Sequence, residues 1–327
     1  PLYVRFDEKI GNDPTGLENP EMLRQMADEQ HAKTIVNGIS RIGYMKGGNS
    51  ARWKDEDFPH IMLKKAREFI KKNQDDPFFL YFSFHDIHVP RLPDYRFIGQ
   101  SEMGPRGDAI VQMDWTTGQL VKTFEEMGLD KNTLIIFSSD NGPVLDDGYV
   151  DYAVEMIGDH DPSGGFRGGK YSAYEAGTRV PTIAYWPSVI EPGESDALFS
   201  QVDLFASVAE LVGHELSSDA APDSYNMLEE IMGESNKGRE FMVEESFTLA
   251  LRKGQWKYIE PSDGPHFFDT KGIESGMYPY PQLFDLADDV AETTNLAEEN
   301  PEITRELSEK LREIKKAIGT REGFKGK

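Results

Sequence analysis

Three short apolar runs constrain the fold of this chain more than any other feature. They cover residues 78–84, 133–137 and 182–186, and turn-forming residues flank each of them. Runs of this length, rich in aromatic and β-branched residues, are typical of strands buried in a sheet. The chain also shows five patterns of helical type, at about residues 19–36, 58–73, 108–127, 203–212 and 300–318. The alternation predicts an α/β fold with a mostly parallel central sheet flanked by helices.

The pattern of elements changes after about residue 215. Residues 240–245 and 249–259 have strand character, with a glycine turn inside the second stretch, and the last helical pattern follows them. We therefore predict two domains. Residues 1–215 form the α/β domain, and residues 216–327 form a small antiparallel α+β subdomain.

Composition excludes several classes of function. The chain of 327 residues has 58 acidic and 35 basic side chains and a net charge of −23. Nucleic-acid binders carry basic patches, and binders of anionic membranes carry polybasic segments, so neither class fits. There is no cysteine, which rules out disulfides, zinc-thiolate sites, iron–sulfur clusters and a cysteine nucleophile within the chain. No apolar run is long enough to span a membrane.

Two polar clusters directly follow predicted strands, where ligands bind in parallel α/β sheets. Residues 85–90 read His-Asp-Ile-His-Val-Pro, and residues 138–142 read Ser-Ser-Asp-Asn-Gly. The histidines can bind a metal, move protons or hold an anion, but a structural hydrogen bond explains them equally well. The Asp and Asn oxygens suit a hard cation such as calcium, although Asp-Asn-Gly is also an ordinary turn sequence.

A third cluster is a glycine-rich loop that contains a lysine. Residues 164–170 read Gly-Gly-Phe-Arg-Gly-Gly-Lys. Glycines let the backbone approach a ligand closely, and lysine is a point charge suited to sulfate or phosphate. A flexible surface loop is the alternative, and the spacing does not match a P-loop. Together, the three clusters supply the groups that a metal-assisted hydrolase needs for an anionic ester.

In this order, the clusters resemble the motifs of type I sulfatases of the alkaline phosphatase superfamily. Residues 88–90 match the His-x-Pro motif, and residues 140–142 match the Asp-Asn-Gly motif. Residues 167–181 match Arg-Gly-Gly-Lys followed by Glu-x-Gly-x-Arg-Val-Pro, which is the most specific part. Residues 282–297 are similar to the tail pattern of the family. The resemblance extends over about residues 75–315.

The resemblance implies a role for each matching position. Asp140 and Asn141 would be calcium ligands. His88 and Lys170 would contact the sulfate and stabilise its developing charge, and His88 would also assist proton transfer near the leaving group. His160 lies just before the third motif and is a candidate for substrate contact, with a surface histidine as the alternative.

The chain departs from the family pattern at the nucleophile. Sulfatases convert the Cys or Ser of a Cys/Ser-x-Pro-x-Arg motif to formylglycine, and this chain has no such motif. The N-terminal aspartate pair and the Gly-Lys-Trp-His motif are also missing, and the similar residues 254–257 fit a hairpin better. Because the chain also begins at Pro1, we expect it to be the later part of a sulfatase, with the remaining calcium ligands upstream. Such a piece is expected to expose an apolar sheet edge or face.

The resemblance therefore predicts a parent enzyme that hydrolyses the sulfate ester of a carbohydrate or an aryl group. Two other readings stay open. One is a metal-dependent phosphodiesterase of the same superfamily, and the other is a non-catalytic relative that binds sulfate or glycan. The resemblance suggests a periplasmic or secreted protein, and it indicates neither the sulfated substrate nor the oligomeric state.

The purified chain by itself is predicted to bind calcium weakly and to release no sulfate from aryl or sugar sulfates. Calcium takes about six to eight oxygen ligands, and Asp140 with Asn141 supplies too few. Sulfate release by the purified chain, measured by ion chromatography, would contradict this prediction.

Overall fold

Helices and short antiparallel strands make up the computed structural model, which describes residues 3–326. The chain divides into two units. The first unit comprises the chain up to Asp130 together with residues 144–161. The second unit comprises residues 131–143 and the chain from Pro162 onward.

Within its described residues, the first unit contains four short strands and two long helices. Its elements are β1 (Tyr3–Arg5), β2 (Ile35–Val36), β3 (Ile39–Ser40), β4 (Tyr44–Lys46), α1 (Phe58–Asn73) and α2 (Gly104–Glu126). Strand β1 pairs with β4, β2 pairs with β3, and both pairs are antiparallel. The helices pack on each other, and Leu63, Ala66 and Ile70 form the buried stripe of α1. The prediction of helix 58–73 is confirmed, and helix 108–127 is present but begins four residues earlier.

The prediction of a helix over residues 19–36 is wrong. Only Pro20–Met22 forms a helical turn there, of 3-10 type, and the segment ends in strand β2. A two-residue hairpin turn explains the ending, because Asn37 and Gly38 both have positive φ (51° and 83°) and join β2 to β3. Asn-Gly is a strong hairpin signal, and it outweighs the helix start at Pro20.

The run over residues 78–84 has no regular secondary structure, and it belongs to no sheet among residues 3–326. Its side chains alternate between partly buried and exposed positions. Phe78 packs against Phe69 and Phe124, whereas Phe79 and Tyr81 are 73% and 80% exposed. The prediction of a buried strand is therefore wrong, because only one face of the segment has packing partners in the first unit.

The second unit contains the remaining elements. They are β5 (Ile135–Ser138), α3 (Glu175–Thr178), β6 (Thr182–Tyr185), α4 (Leu204–Leu211), α5 (Leu228–Ile231), β7 (Met242–Glu245), β8 (Leu249–Lys253), β9 (Trp256–Ile259), β10 (Phe267–Phe268), β11 (Ile273–Glu274), β12 (Gln282–Asp285) and α6 (Pro301–Lys316). The predictions of helices near residues 203–212 and 300–318 are confirmed.

The C-terminal part of the second unit is an antiparallel sheet covered by α6. The sheet has the order β12-β9-β8-β7, and Gly254 lies at positive φ in the turn between β8 and β9. Leu307 and Leu311 of α6 pack in one core cluster with Leu251 and Leu283 of the sheet. The prediction of antiparallel strands and a final helix in this region is confirmed.

Strands β5 and β6 pair with each other in antiparallel orientation. All strand pairs among residues 3–326 are antiparallel, so a mostly parallel central sheet is not present within this part of the chain. Strand β6 is also not buried as predicted, because Ile183 is 57% exposed and Tyr185 is 38% exposed. An apolar face of strand β6 thus remains exposed to solvent.

No helix in the described part of the chain combines the length and the hydrophobicity that crossing a membrane requires.

Candidate active site

His88 lies in the first unit, four residues after the end of the apolar run over residues 78–84. Its ring is exposed, while the following Val89 and Pro90 are buried and joined by a cis peptide bond. Nδ1 of His88 lies 2.7 Å from the carbonyl oxygen of Val89. Because a carbonyl can only accept a hydrogen bond, Nδ1 carries the proton in the neutral ring and Nε2 is the nitrogen that can accept one. This tautomer suits a group that exchanges protons through Nε2.

The neighbouring His85 belongs to a packed cluster of the first unit. It lies 3.6 Å from the carboxylate of Asp55, and its ring contacts Phe58. Arg41 donates to Asp55 through both terminal nitrogens, and both residues are buried. Burial opposes the charge on Asp55, but His85 and Arg41 outweigh it and lower the pKa of the carboxyl group. The first histidine of the motif thus contacts buried groups, and the second is open to solvent.

His160 also belongs to the first unit. It is exposed and lies in a turn, where its backbone N–H donates to the carbonyl of Ile157. The role of His160 in substrate contact stays a prediction.

Asp140 and Asn141 lie in the second unit, in the loop after β5. Asp140 is exposed, and the amide of Asn141 donates to the carbonyl of Gly142 at 2.9 Å, which leaves its oxygen as an acceptor. Gly142 anchors the loop, because its N–H donates to the carbonyl of Gly177 at 3.0 Å. A Cβ atom at Gly142 would lie 1.6 Å from the carbonyl oxygen of Ala176. The glycine of the Asp-Asn-Gly motif is therefore required by this close approach.

Lys170 lies on the loop that precedes α3, beside the loop of Asp140. Its backbone N–H donates to the carbonyl of Pro143 at 2.8 Å. Gly169 makes this approach possible, because a Cβ atom there would lie 2.6 Å from the same carbonyl oxygen. The backbone thus joins the lysine loop to the loop that carries Asp140 and Asn141.

Arg167 has a structural role in this loop. Its guanidinium donates to the carboxylate of Glu274 and to the carbonyl of Glu292, each at 2.5 Å, and lies 4.0 Å above the ring of Tyr174. The ion pair with Glu274 outweighs burial and raises the pKa of Arg167. The first basic residue of the motif is fully engaged in holding the loop.

Lys257 and Glu175 form the centre of a buried ionic cluster in the second unit. Both side chains are fully buried. The Lys257 ammonium contacts Glu175 at 3.0 Å and Glu244 at 2.9 Å, and it lies 3.7 Å from Glu292. Arg252 adds a second bond to Glu175 at 2.8 Å. Charges at this depth are tolerated only when they are paired and hydrogen-bonded, as they are here.

Lys257 and Glu175 hold each other ionised within this cluster. Burial alone would lower the pKa of Lys257, but the surrounding carboxylates, Glu244 first, raise it. Burial would raise the pKa of Glu175, but Lys257 and Arg252 lower it. Glu175 begins α3, so the cluster attaches the block of residues 167–181 to the C-terminal sheet.

Glu292 is the weakest member of the cluster. Oε2 accepts a hydrogen bond from the backbone N–H of Glu175 at 2.6 Å, whereas Oε1 is buried without a hydrogen-bond partner among the described residues. Burial raises the pKa of Glu292 to about 7, and the nearby Lys257 only partly opposes the rise. Glu292 is therefore a buried carboxyl that gains a proton near neutral pH.

The structure thus brings together three of the five predicted site residues, Asp140, Asn141 and Lys170, on adjoining loops of the second unit. His88 and His160 belong to the first unit. Sequence reasoning missed the cluster around Lys257. A lysine inside an otherwise apolar strand was the available signal, together with Glu292 in the tail pattern.

The predicted calcium ligands fit the metal only in part. Asp140 and Asn141 supply oxygen atoms, the ligand type that calcium prefers. Residues 3–326 contain no group of three or more His, Cys, Asp or Glu side chains that could hold a metal ion. Asp140 and Asn141 can therefore contribute to a calcium site, but they do not complete one.

Replacement of Glu292 by glutamine is predicted to change the pH dependence of stability. Between pH 4.5 and about 7, the folded protein retains a proton that the unfolded chain has lost, so the free energy of unfolding falls as the pH rises through this range. Glu292→Gln removes this dependence and keeps an acceptor for Glu175. Between pH 4.5 and pH 8, the free energy of unfolding of the variant should rise by about 3 kcal/mol relative to that of the wild type, as measured by urea unfolding.

The matched control is Glu306→Gln, which removes an exposed carboxylate from a surface ion pair with Lys253. Its stability should follow the wild-type curve within about 0.5 kcal/mol. Parallel curves for the wild type and Glu292→Gln would show that Glu292 keeps an ordinary pKa.

Comparison with known proteins indicates the same family as the sequence motifs. The Sulfatase family model matches residues 12–214. The N-acetylgalactosamine-6-O-sulfatase of Bacteroides thetaiotaomicron is 50% identical over 317 residues, which cover 96% of this chain and 62% of the relative. Human arylsulfatase A is 30% identical over 270 residues, which cover 77% of this chain and 50% of the relative.

A solved structure supports the same relationship. It comes from work on glycosaminoglycan metabolism by Bacteroides thetaiotaomicron, is described as a 6S-sulf protein, and is 50% identical with a TM-score of 0.94. The match covers 97% of this chain and 66% of that one. The chain thus spans about half to two thirds of the length of these relatives. On the family match and these identities, the chain belongs to the sulfatase family and has its α/β fold.

Proposed function

We propose that this chain is the sulfate-binding part of an enzyme that hydrolyses sulfate esters of a glycan. One structural observation carries the proposal. The backbone hydrogen bond from Lys170 to the carbonyl of Pro143 joins a loop with an anion-binding cation to a loop with two oxygen ligands for a hard metal. The name of the relative that is 50% identical favours 6-sulfated N-acetylgalactosamine as the substrate.

In this proposal, Lys170 neutralises part of the charge of the bound sulfate. A positive charge fixed before the reaction stabilises the charge that develops in the transition state. His88 has the tautomer that lets Nε2 accept or hold a proton at the leaving oxygen. His160 is a further substrate contact in the proposal, and only its exposure supports this role.

Sulfatases generally use a divalent metal, and we propose that the ion here is calcium. Asp140 and Asn141 would hold it through their side-chain oxygens, with other ligands coming from sequence outside this chain. When bound, the ion supplies a positive charge that polarises a sulfate oxygen. The proposed site has oxygen ligands and one ion. Related phosphodiesterases instead hold a pair of transition metals, so the two kinds of site differ in ligand type and in the number of ions.

The parent protein must supply the nucleophile in this proposal. The chain has no cysteine and no Ser-x-Pro-x-Arg motif that could become formylglycine. The mostly parallel central sheet and the division near residue 215 also belong to the proposal for the parent protein. The open faces of residues 78–84 and of β6 support it, since each is an apolar surface that a further element can cover.

Replacement of Lys170 is predicted to remove most of the sulfatase activity of the complete gene product. With 6-sulfated N-acetylgalactosamine as substrate, Lys170→Met should lower kcat/KM by about 100-fold or more, because a preorganised charge is lost. Lys237→Met, which changes an exposed lysine of the same unit, is the control and should keep wild-type activity.

Sulfate release by ion chromatography measures both variants. Equal activity of Lys170→Met and wild type would remove Lys170 from the mechanism. Wild-type protein that binds the sulfated sugar but never releases sulfate would favour the non-catalytic binder instead.

A further inference from the structure

Three aromatic rings form a cluster beside Lys170 in the second unit. Tyr171 follows Lys170 in the chain, Phe247 lies between β7 and β8, and Phe268 belongs to β10. The ring centroids are 5.5 Å apart for Phe247 and Phe268, and 6.3 Å apart for Tyr171 and each phenylalanine. These tilted and edge-on contacts are typical of aromatic groups that stabilise one another.

The cluster faces solvent. Phe247 is 62% exposed, and Tyr171 and Phe268 are partly exposed. The apolar cores of this unit are built from other residues, so burial does not explain why the rings lie together. An exposed group of aromatic rings is typical of a surface that binds a ligand with an apolar face.

The backbone is strained at two of the three rings. Tyr171 has a φ of 80° and Phe247 a φ of 60°, in the region that bulky residues rarely adopt. The N–H of Phe247 donates to the carboxylate of Glu245 at 3.1 Å, which helps to hold the turn. Such strain persists where the surrounding structure imposes it, and it concentrates at functional sites.

Charge complementarity indicates what kind of ligand lies on the cluster. Nζ of Lys170 is 5.1 Å from the centroid of the Tyr171 ring. A ligand that places an anionic group at Lys170 therefore places its adjoining atoms near the Tyr171 ring, and Phe247 and Phe268 extend the aromatic surface from there. A sulfated sugar has both features, since its sulfate is anionic and one face of its ring carries C–H groups that stack on aromatic side chains.

We propose that Tyr171, Phe247 and Phe268 form a platform that binds the sugar ring of a sulfated glycan whose sulfate is held at Lys170. The inference rests on the proposed function, because it takes Lys170 as the sulfate contact. Phe247 is the main sugar contact of the platform, since it is the most exposed of the three residues.

The test measures binding of three probes to the complete gene product by isothermal titration calorimetry, in a background whose nucleophile is replaced by alanine so that the sulfated sugar is not hydrolysed. The probes are inorganic sulfate, N-acetylgalactosamine and N-acetylgalactosamine 6-sulfate. The wild type should bind the sulfated sugar more tightly than inorganic sulfate. Phe247→Ala should weaken binding of the sulfated sugar by about 3- to 10-fold and leave binding of inorganic sulfate unchanged.

Two variants control the experiment. Phe247→Tyr keeps an aromatic ring and should retain the tighter binding. Phe267→Ala removes an exposed phenylalanine outside the cluster, 45% exposed, and should bind all three probes like the wild type. Thermal unfolding of each variant reports whether it is folded.

The outcomes separate this inference from the proposed function. Equal binding of the sulfated sugar by the wild type and Phe247→Ala overturns the platform and leaves the sulfate site intact. Absence of sulfate binding by the wild type contradicts the role of Lys170. In that case, the platform is still supported if the wild type binds unsulfated N-acetylgalactosamine and Phe247→Ala does not. If the wild type does not bind this sugar either, both the platform and the role of Lys170 are overturned.

Discussion

The buried ammonium of Lys257 is the interaction on which the candidate site depends. It lies on the central part of the C-terminal sheet and contacts carboxylates from three other segments of the same unit. Removing one partner from such a cluster leaves a buried charge uncompensated, at a cost of about 3–5 kcal/mol. The block of residues 167–181 is therefore held by the subdomain that follows it in the chain. The loop of Lys170 gains its fixed position from charges that do not themselves touch a substrate.

The loop glycines of the candidate site could be predicted from the sequence, because their motifs are local. The glycines of the Asp-Asn-Gly and Gly-Gly-Lys motifs are required by close backbone approaches. Because only glycine fits at Gly142 and Gly169, the sequence itself indicates where these approaches occur. The final helix also followed from its periodic apolar stripe, since Leu307 and Leu311 recur at helical spacing and are buried.

The remaining features depend on contacts between distant residues. Lys257 and Glu175 are far apart in the chain, and neither local sequence indicates that they form an ion pair. The apolar runs at residues 78–84 and 182–186 are predicted to be buried because they are hydrophobic. Hydrophobicity favours burial, but it does not show that another element is present to pack on the residue. Phe79 and Ile183 are exposed here because the packing elements of their own units leave those faces open.

Amide hydrogen exchange of Lys257→Met tests most directly whether the ionic cluster holds the block of residues 167–181. The comparison is with α6, which packs on the same sheet through an apolar core, and Lys253→Met serves as the surface control. We predict that exchange within residues 167–181 accelerates at least about tenfold more than exchange in α6. Equal acceleration in both regions, or no change in either, would contradict it.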